Sequence, residues 1–349
     1  MSRDNFSNAT KISLAKRAGY RCSYPGCEAT TVGPSDENSK ATANTGEAAH
    51  ISAASGGSGA RRWLSVLSPE YRSSIDNGIW CCETHAKLID TDEVTYTIPM
   101  LKQWRRLAEQ RAQLRQAYGD IDFTYHSELV AVGLAPETIT LIPGPELSAK
   151  IGLAVRHAWL PEICGKDSSD AVRDFLIEHA RNAFSHGGAT SVEVEFTSQA
   201  IEVSDNGAPF VVANLAGPNT RGGGLAYRAL LDARHLGHAS SRRAGNMNHV
   251  HIPFVLDVTD LPRVNPCAVA LDHEDIRDGT LDLVQLTGCD RVFLVAPDFA
   301  VFSDGHMYER VLRQVLIDHP KVVLILPHAS ARVIEHYSTL FPTAKVETW

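Results

Sequence analysis

The chain has 349 residues, 44% hydrophobic and 21% charged, with a net charge of −8. That size and balance predict a soluble globular protein of two or three domains, and no apolar run approaches the roughly 20 residues of a membrane span, so no membrane partner is expected. Charge is unevenly spread, +3 over residues 1–118 and −11 over the rest, as expected if only the head meets phosphate backbones.

The start, Met-Ser-Arg-Asp-Asn-Phe, lacks an apolar leader core, which predicts a cytoplasmic protein. Residues 5–20 read as a short helix running into Gly19. Of seven cysteines, four fall within the first 82 residues beside histidines, a distribution that suits a metal site in a reducing compartment better than a disulfide framework. Residues 33–46 and 52–59, rich in Gly, Ser, Asn and Asp, read as loops. Ile98, Leu101, Trp104 and Leu107 recur at helical spacing and predict an amphipathic helix over 98–118 that closes a first domain, residues 1–118. Residues 119–164, with Pro136, Pro143 and Pro145, read as a connector with some strand content.

A helix over 168–188, strands over 191–196 and 200–204, a loop to Gly224, a helix over 225–235 and a strand pair ending at Pro253 form a unit spanning 165–258. From 266 to 349, apolar runs at 267–271, 291–296, 322–326 and 345–348 alternate with helical stretches near 274–286, 307–318 and 329–340. This βαβ alternation predicts a small parallel sheet. No fixed-period repeat is present.

Two pairs of metal-ligand residues stand out. Cys22-x4-Cys27 and Cys82-x2-His85 supply four ligands of the kind a tetrahedral structural Zn²⁺ takes, each pair on a tight turn. Cys81 is an alternative to Cys82, but the spacing to His85 favours Cys82. Between the pairs lies Gly46-Glu47-Ala48-Ala49-His50-Ile51, and Asn77-Gly78-Ile79-Trp80 leads into the second pair. With Gly56-Gly57-Ser58-Gly59-Ala60-Arg61-Arg62 and His85-Ala86-Lys87-Leu88-Ile89-Asp90, this order resembles an HNH endonuclease, and is most similar to the nuclease domain of HNH–SAVED anti-phage effectors. The resemblance covers about residues 8–110. It implies a ββα-metal finger that cuts DNA, with RNA left open, and it gives His50 the role of general base beside a catalytic Mg²⁺ or Mn²⁺. Ala49 and Ala86 depart from the family's metal-binding positions, so the catalytic metal must draw on Glu47, His85 or Asp90. Asn77 either braces the loop carrying His50 or caps a turn before Gly78. Arg61, Arg62 and Arg72 are candidate phosphate contacts.

A second constellation follows. Glu178 and Asn182 lie one helical turn apart and share a face. Asp205 ends a strand beside Gly207, and Arg221-Gly222-Gly223-Gly224 opens a helix whose bare N–H groups can face phosphates. In this order they resemble the N, G1 and G2 boxes of the GHKL ATPases. The stretch from Asn182 to Thr190 is closest to the kinase-like branch. The resemblance covers about 165–255 and implies a Bergerat α/β sandwich binding ATP with Mg²⁺: Asn182 on the metal, Asp205 on adenine, Glu178 on the attacking group, and Gly207, Gly222, Gly223 and Gly224 around the nucleotide. Pro209 replaces the second glycine of the G1 box, which puts ATP hydrolysis in question.

The reading is therefore a multidomain α+β protein: an HNH finger, a GHKL-like domain and a small C-terminal parallel α/β domain. Its expected function is a metal-dependent endonuclease regulated by ATP, with anti-phage defence as the context the resemblance implies. DNA and an adenine nucleotide are the expected partners, and a homo-oligomer is compatible with it. The rivals are an anti-sigma-type kinase carrying a DNA-binding finger and a non-enzymatic ATP-responsive DNA switch.

Overall fold

Short polar side chains set where the helices of the first half begin. Ser7 Oγ accepts from the Thr10 N–H at 3.1 Å and starts α1 (Asn8–Arg17). In the computed structural model, which describes residues 3–27, 29–216, 222–233, 235–319 and 321–349, the chain is a mixed α+β protein with several sheets. It divides into two compact units. One is Met1–Glu137 with Val155–Gly165, the other Thr138–Ala154 with Lys166–Trp349.

In the first unit, β1 (Val32–Pro34) and β2 (Thr42–Asn44) form a small antiparallel pair. β3 (Gly46–His50) is followed by the short α2 (Pro69–Arg72), and then pairs antiparallel with β4 (Gly78–Cys82), placing Gly46 opposite Cys82 and His50 opposite Gly78. α3 (Glu83–Thr91) leaves β4 directly, with Cys82 as its N-cap. α4 (Ile98–Tyr118) is capped by Thr97 and ends at Gly119, where φ is +82°. It covers the predicted helix from end to end and buries Met100, Leu101, Trp104, Leu107 and Leu114 along one side. α5 (Ser127–Val132) completes the unit's helices up to Glu137. Phe6, Leu14, Ala15, Ala18 and Trp80 form a core between α1 and the β3–β4 pair. Gly46 has a steric reason to be glycine, because a Cβ there would sit 2.1 Å from the Trp80 ring.

The second unit takes up β5 (Glu137–Leu141), most of α6 (Leu147–His157), and α7 (Leu160–Ser185) beyond Gly165, whose φ of 73° and ψ of 171° break that helix. β6 (Val192–Phe196), β7 (Ala200–Asp205), α8 (Gly222–Asp232), β8 (Ser240–Ala244) and β9 (Met247–Pro253) follow. The sheet order is β5-β6-β7-β9-β8, antiparallel from β6 onward. Along β6, Val192, Val194 and Phe196 are buried while Glu193 and Glu195 are exposed, the period of two of a sheet with one dry face.

After α9 (Leu261–Val264), the predicted parallel sheet is present: β10 (Ala268–Ala270), α10 (His273–Asp278), β11 (Val292–Val295), α11 (Gly305–Asp318), β12 (Val322–Ile325), α12 (Ala331–Leu340) and β13 (Lys345–Glu347), in the order β10-β11-β12-β13. Val292, Leu294 and Leu324 pack with Tyr308, Leu312 and Tyr337 on one face. Phe293, Val295, Val323 and Ile325 pack with Val255, Val258 and Leu261 on the other. Burial on both faces explains why these strands read as unbroken apolar runs. Asp290 ties this sheet to the antiparallel one, accepting from Ser241 N and Oγ at 2.6 Å each and from Ala213 N at 2.8 Å.

Three expectations need correction. The segment 119–164, expected as a connector with some strand content, contains α5, the first strand of the five-stranded sheet and α6, and it is shared between the two units. The helix expected near 274–286 stops at Gly279, where φ is +72°; the stretches 165–258 and 266–349 both fall within the second unit. Finally, alongside the expected metal pairs the chain carries a disulfide, Cys267–Cys289, which a reading that favoured a metal site over a disulfide framework did not include. Among the described residues no helix is long and apolar enough to cross a membrane.

Candidate functional site

The loop after α1 presents the first pair of metal ligands. The Cys27 N–H donates to Tyr24 O at 3.0 Å, closing a tight turn, and the Ser23 N–H donates to Trp80 O at 3.0 Å, which pins that turn to β4. Cys82 at the end of β4 and His85 in the first turn of α3 complete the set. The ligand atoms of Cys22, Cys27, Cys82 and His85 all lie within 4.8 Å of one another, and this quartet could hold a metal such as zinc. His85 Nδ1 is 3.1 Å from Cys82 Sγ and 3.5 Å from Cys22 Sγ. Cys81 stays outside the quartet. It is fully buried, and its hydrogen bond to Cys22 holds the Cys22 thiol down to about 5 while raising its own pKa, with backbone N–H groups of Cys82 and Tyr24 adding to the effect on Cys22. A site that favours a thiolate at Cys22 fits a divalent soft-metal ligand set.

A second feature lies at the other end of β3. His50, Asp90, Arg3, Arg61 and the loop Ala53–Gly57 line a cleft of about 280 Å³. His50 Nε2 lies 3.3 Å from Asp4 O. A carbonyl only accepts, so Nε2 carries the hydrogen and Nδ1 is the nitrogen that can take a proton. Burial pushes the His50 pKa down to about 4, and the ring is neutral near pH 7. Asp90 is raised by burial, with Arg62 opposing that rise.

Asn77 is buried and wholly engaged. Its Oδ1 accepts from Ser52 N at 2.9 Å, its Nδ2 donates to Ser52 O at 2.8 Å and Arg72 O at 3.1 Å, and its carbonyl accepts from Ile51 N at 2.8 Å. These bonds brace the segment that follows His50. Glu47, by contrast, does not join the cleft. Three residues before His50 on one strand, it faces the opposite side of the β3–β4 pair and is exposed. His85 belongs to the Cys/His quartet. Of the three groups expected to hold a second metal, only Asp90 shares the cleft with His50.

Two of the three expected phosphate contacts are structural. Arg62 is buried and donates to Ile51 O at 2.7 Å, Ile89 O at 2.8 Å and Tyr96 O at 3.3 Å, joining the exit of β3 to the end of α3. Arg72 donates to Asp4 Oδ2 at 2.7 Å and lies over the Trp63 ring, 4.6 Å from its centroid. Arg61 is exposed at the cleft, with Glu93 3.8 Å away.

In the second unit, α7 and the end of β7 wall a cavity of about 310 Å³ lined by His179, Asn182, Asp205, Phe210, Leu215 and Asn248 among others. Asp205 Oδ1 accepts from Gly207 N at 2.9 Å and Asn248 Nδ2 at 2.8 Å, while His179 Nε2 is 3.3 Å from Oδ2. Burial alone would raise the Asp205 pKa, but these hydrogen bonds from His179, Asn248 and Gly207 hold it below the usual carboxylate value. One lone pair of Oδ2 is left for a ligand donor.

A Cβ on Gly222 would meet Glu178 Oε2 at 3.0 Å and one on Gly223 would meet Asn182 Nδ2 at 2.8 Å. The N-terminus of α8 therefore lies against both N-box candidates, and Gly224 is buried within α8. Arg221 lies outside the described residues. Sequence reasoning missed His179, Phe210 and Asn248 here, and Asp4 and Phe6 at the cleft, and gave Arg62 a phosphate role in place of its structural one; the alternation of β9 was the one available signal, for Asn248.

No known protein family matches this chain, and no curated protein matches it either.

Proposed function

We propose that the chain is a metal-dependent nuclease of the HNH type whose cutting is governed by an adenine nucleotide held in a GHKL-like site. The observation that carries this reading is the cleft in which a neutral His50, with Nδ1 as its proton-accepting nitrogen, sits beside Asp90, Arg3 and Arg61 at the opposite end of β3 from a Cys/His quartet. His50 takes the proton from an attacking water. Arg3 and Arg61 draw in and hold the phosphate backbone. A divalent Mg²⁺ or Mn²⁺ would be held by Asp90 with water and phosphate oxygens, and would supply charge neutralisation at the scissile phosphate. The Cys/His quartet keeps β4 and α3 fixed relative to the Cys22–Cys27 turn, a structural task for which zinc is suited.

In the nucleotide site, Asp205 offers one acceptor to an adenine amino group and α8 offers N–H groups to phosphates, with Asn182 and Glu178 beside them. ATP restrains cutting in this reading, and its depletion or exchange releases it. Incubation with supercoiled plasmid and Mg²⁺ or Mn²⁺, with and without ATP, tests the proposal. Nicking that requires the metal and changes with ATP supports it, whereas intact plasmid together with phosphate transfer to a protein would favour the kinase rival.

A further inference from the structure

His50 is held by more than its own strand. The Phe6 ring lies on the imidazole with centroids 3.8 Å apart and planes 6° apart. On the ring's edge, Asp4 O receives the Nε2 hydrogen. Both contacts come from the few residues ahead of α1, a segment that carries no motif.

That segment is itself anchored on three sides. The Asp4 N–H donates to Ala54 O at 3.0 Å, in the loop just beyond His50. Asp4 Oδ2 accepts from Arg72 Nε at 2.7 Å, and Arg72 is fixed in turn by the Trp63 ring and by Leu67 O. Phe6 is 6% exposed and packed with Leu14, Ala15 and Trp80, so its ring cannot swing away from the imidazole without opening the core.

We infer that residues 3–6 are a built part of the cleft, in which Asp4 and Phe6 act as positioning residues for His50. The inference rests on the hydrolytic reading of the cleft. An imidazole on a strand end has two free torsions and two tautomers. The Phe6 face removes the rotation about the Cβ–Cγ bond, and the Asp4 carbonyl selects the Nε2–H tautomer, leaving the Nδ1 lone pair as the base. A base that points correctly in only a fraction of molecules loses rate in proportion, and a misplacement of about 1 Å costs about 10²-fold. Arg3, in the same segment, lines the cleft and adds a cation where phosphate would lie.

The test pairs a spectroscopic readout with a kinetic one. In protein with ¹⁵N-labelled histidine near pH 7, His50 should give the nitrogen shift pattern of a single Nε2–H tautomer. Removing residues 1–5 keeps Phe6 and the core but deletes the Asp4 carbonyl. This should yield a mixture of tautomers and a fall in kcat of about 10-fold or more, with metal content retained and KM raised by the loss of Arg3. Phe6→Leu, which keeps apolar bulk, and Arg72→Gln, which frees Asp4, should each broaden the tautomer distribution and lower kcat several-fold. An unchanged tautomer and unchanged kcat in a shortened chain that still folds would overturn the inference. Should the shortened chain fail to fold, the same unchanged pair in both Phe6→Leu and Arg72→Gln would overturn it. If the parent cuts nothing at all, the hydrolytic reading falls, while the tautomer comparison still decides whether the segment sets the ring.

Discussion

Tyr24 lies flat against His85, with ring centroids 3.9 Å apart and planes 8° apart. Behind it, the Tyr24 hydroxyl is 3.3 Å from His157 Nε2, and His157 Nδ1 is 3.4 Å from Glu137. The candidate ligand ring is therefore oriented by a stack on a buried polar chain, the kind of outer support that tunes metal sites. About one equivalent of zinc should accompany the purified protein, and Cys22→Ser or Cys82→Ser should yield poorly soluble chains, because binding energy here is also folding energy. Tyr24→Leu should keep zinc but weaken its retention about 10-fold or more against a competing chelator. A well-folded preparation without zinc would refute the assignment.

His50→Ala should lower cleavage by about 10²-fold or more while metal content and melting stay near those of the parent. The pH profile follows from burial of the ring. With a folded pKa of about 4 against an ordinary 6.5, the His50 ring is neutral throughout neutral pH, so in the proposed role this group adds no slope between pH 6 and 8. Activity should fall on the acid side as His50 protonates. A steep loss of rate between pH 7 and 6 would point to a different base.

The two neighbouring arginines should part company. Arg62→Met leaves several buried carbonyls without a donor and should destabilise the fold by about 3 kcal/mol or more, since each such orphan costs about 1–3 kcal/mol. Arg61→Met removes an exposed charge, should change stability by less than about 0.5 kcal/mol, and should instead weaken nucleic-acid binding. Urea unfolding and a binding titration separate the two effects, and equal stability losses would contradict the hydrogen-bond assignment.

The proposed nucleotide coupling can be tested at two positions. Asp205→Ala and Asn182→Ala should each weaken ATP binding and make cleavage insensitive to ATP, a coupling of about 1–3 kcal/mol if it is of ordinary size. Asp205→Ala should also lower the melting temperature, because His179, Asn248 and Gly207 lose their shared acceptor. Asn182→Ala should not. A flat ATP response shared by the parent and both variants would show that this pocket does not regulate cutting through ATP.

Acid stability should depend on Glu347. Burial would raise its pKa, but hydrogen bonds from His238 and Lys345 bring it down to about 2. A carboxylate depressed in the folded state contributes stability above its unfolded pKa and loses it as pH falls toward the folded value, here from about 4.5 to 2. Glu347→Gln should flatten that part of the stability curve, and an acid limb unchanged in the variant would contradict the pairing.

What the sequence made legible followed local periodicity. The two central parallel strands, β11 and β12, announced themselves as apolar runs because both of their faces are dry, and α4 because one stripe of it is. The Cys/His pairs were legible because tight turns require short spacing. The face on which Glu47 lies was readable too, since three positions along a strand reverse the side. Asp4 was not readable at all. It serves His50 with a backbone carbonyl, which every residue has, across 46 positions of chain. Arg62 and Arg72 looked like surface cations because nothing local distinguishes a guanidinium aimed at solvent from one aimed at carbonyls of another loop.

The first unit is assembled from two separate stretches of chain, and the second stretch, Val155–Gly165, brings His157 and Trp159, both fully buried. A chain cut after Tyr118 would thus lack the histidine behind Tyr24 and the ring beneath Arg111. Neither unit can be inherited, swapped or expressed as an uninterrupted module. The backbone passes from one to the other at 137/138, again at 154/155 and again at 165/166, so the two units are threaded through one another along the chain and are not two cassettes joined end to end.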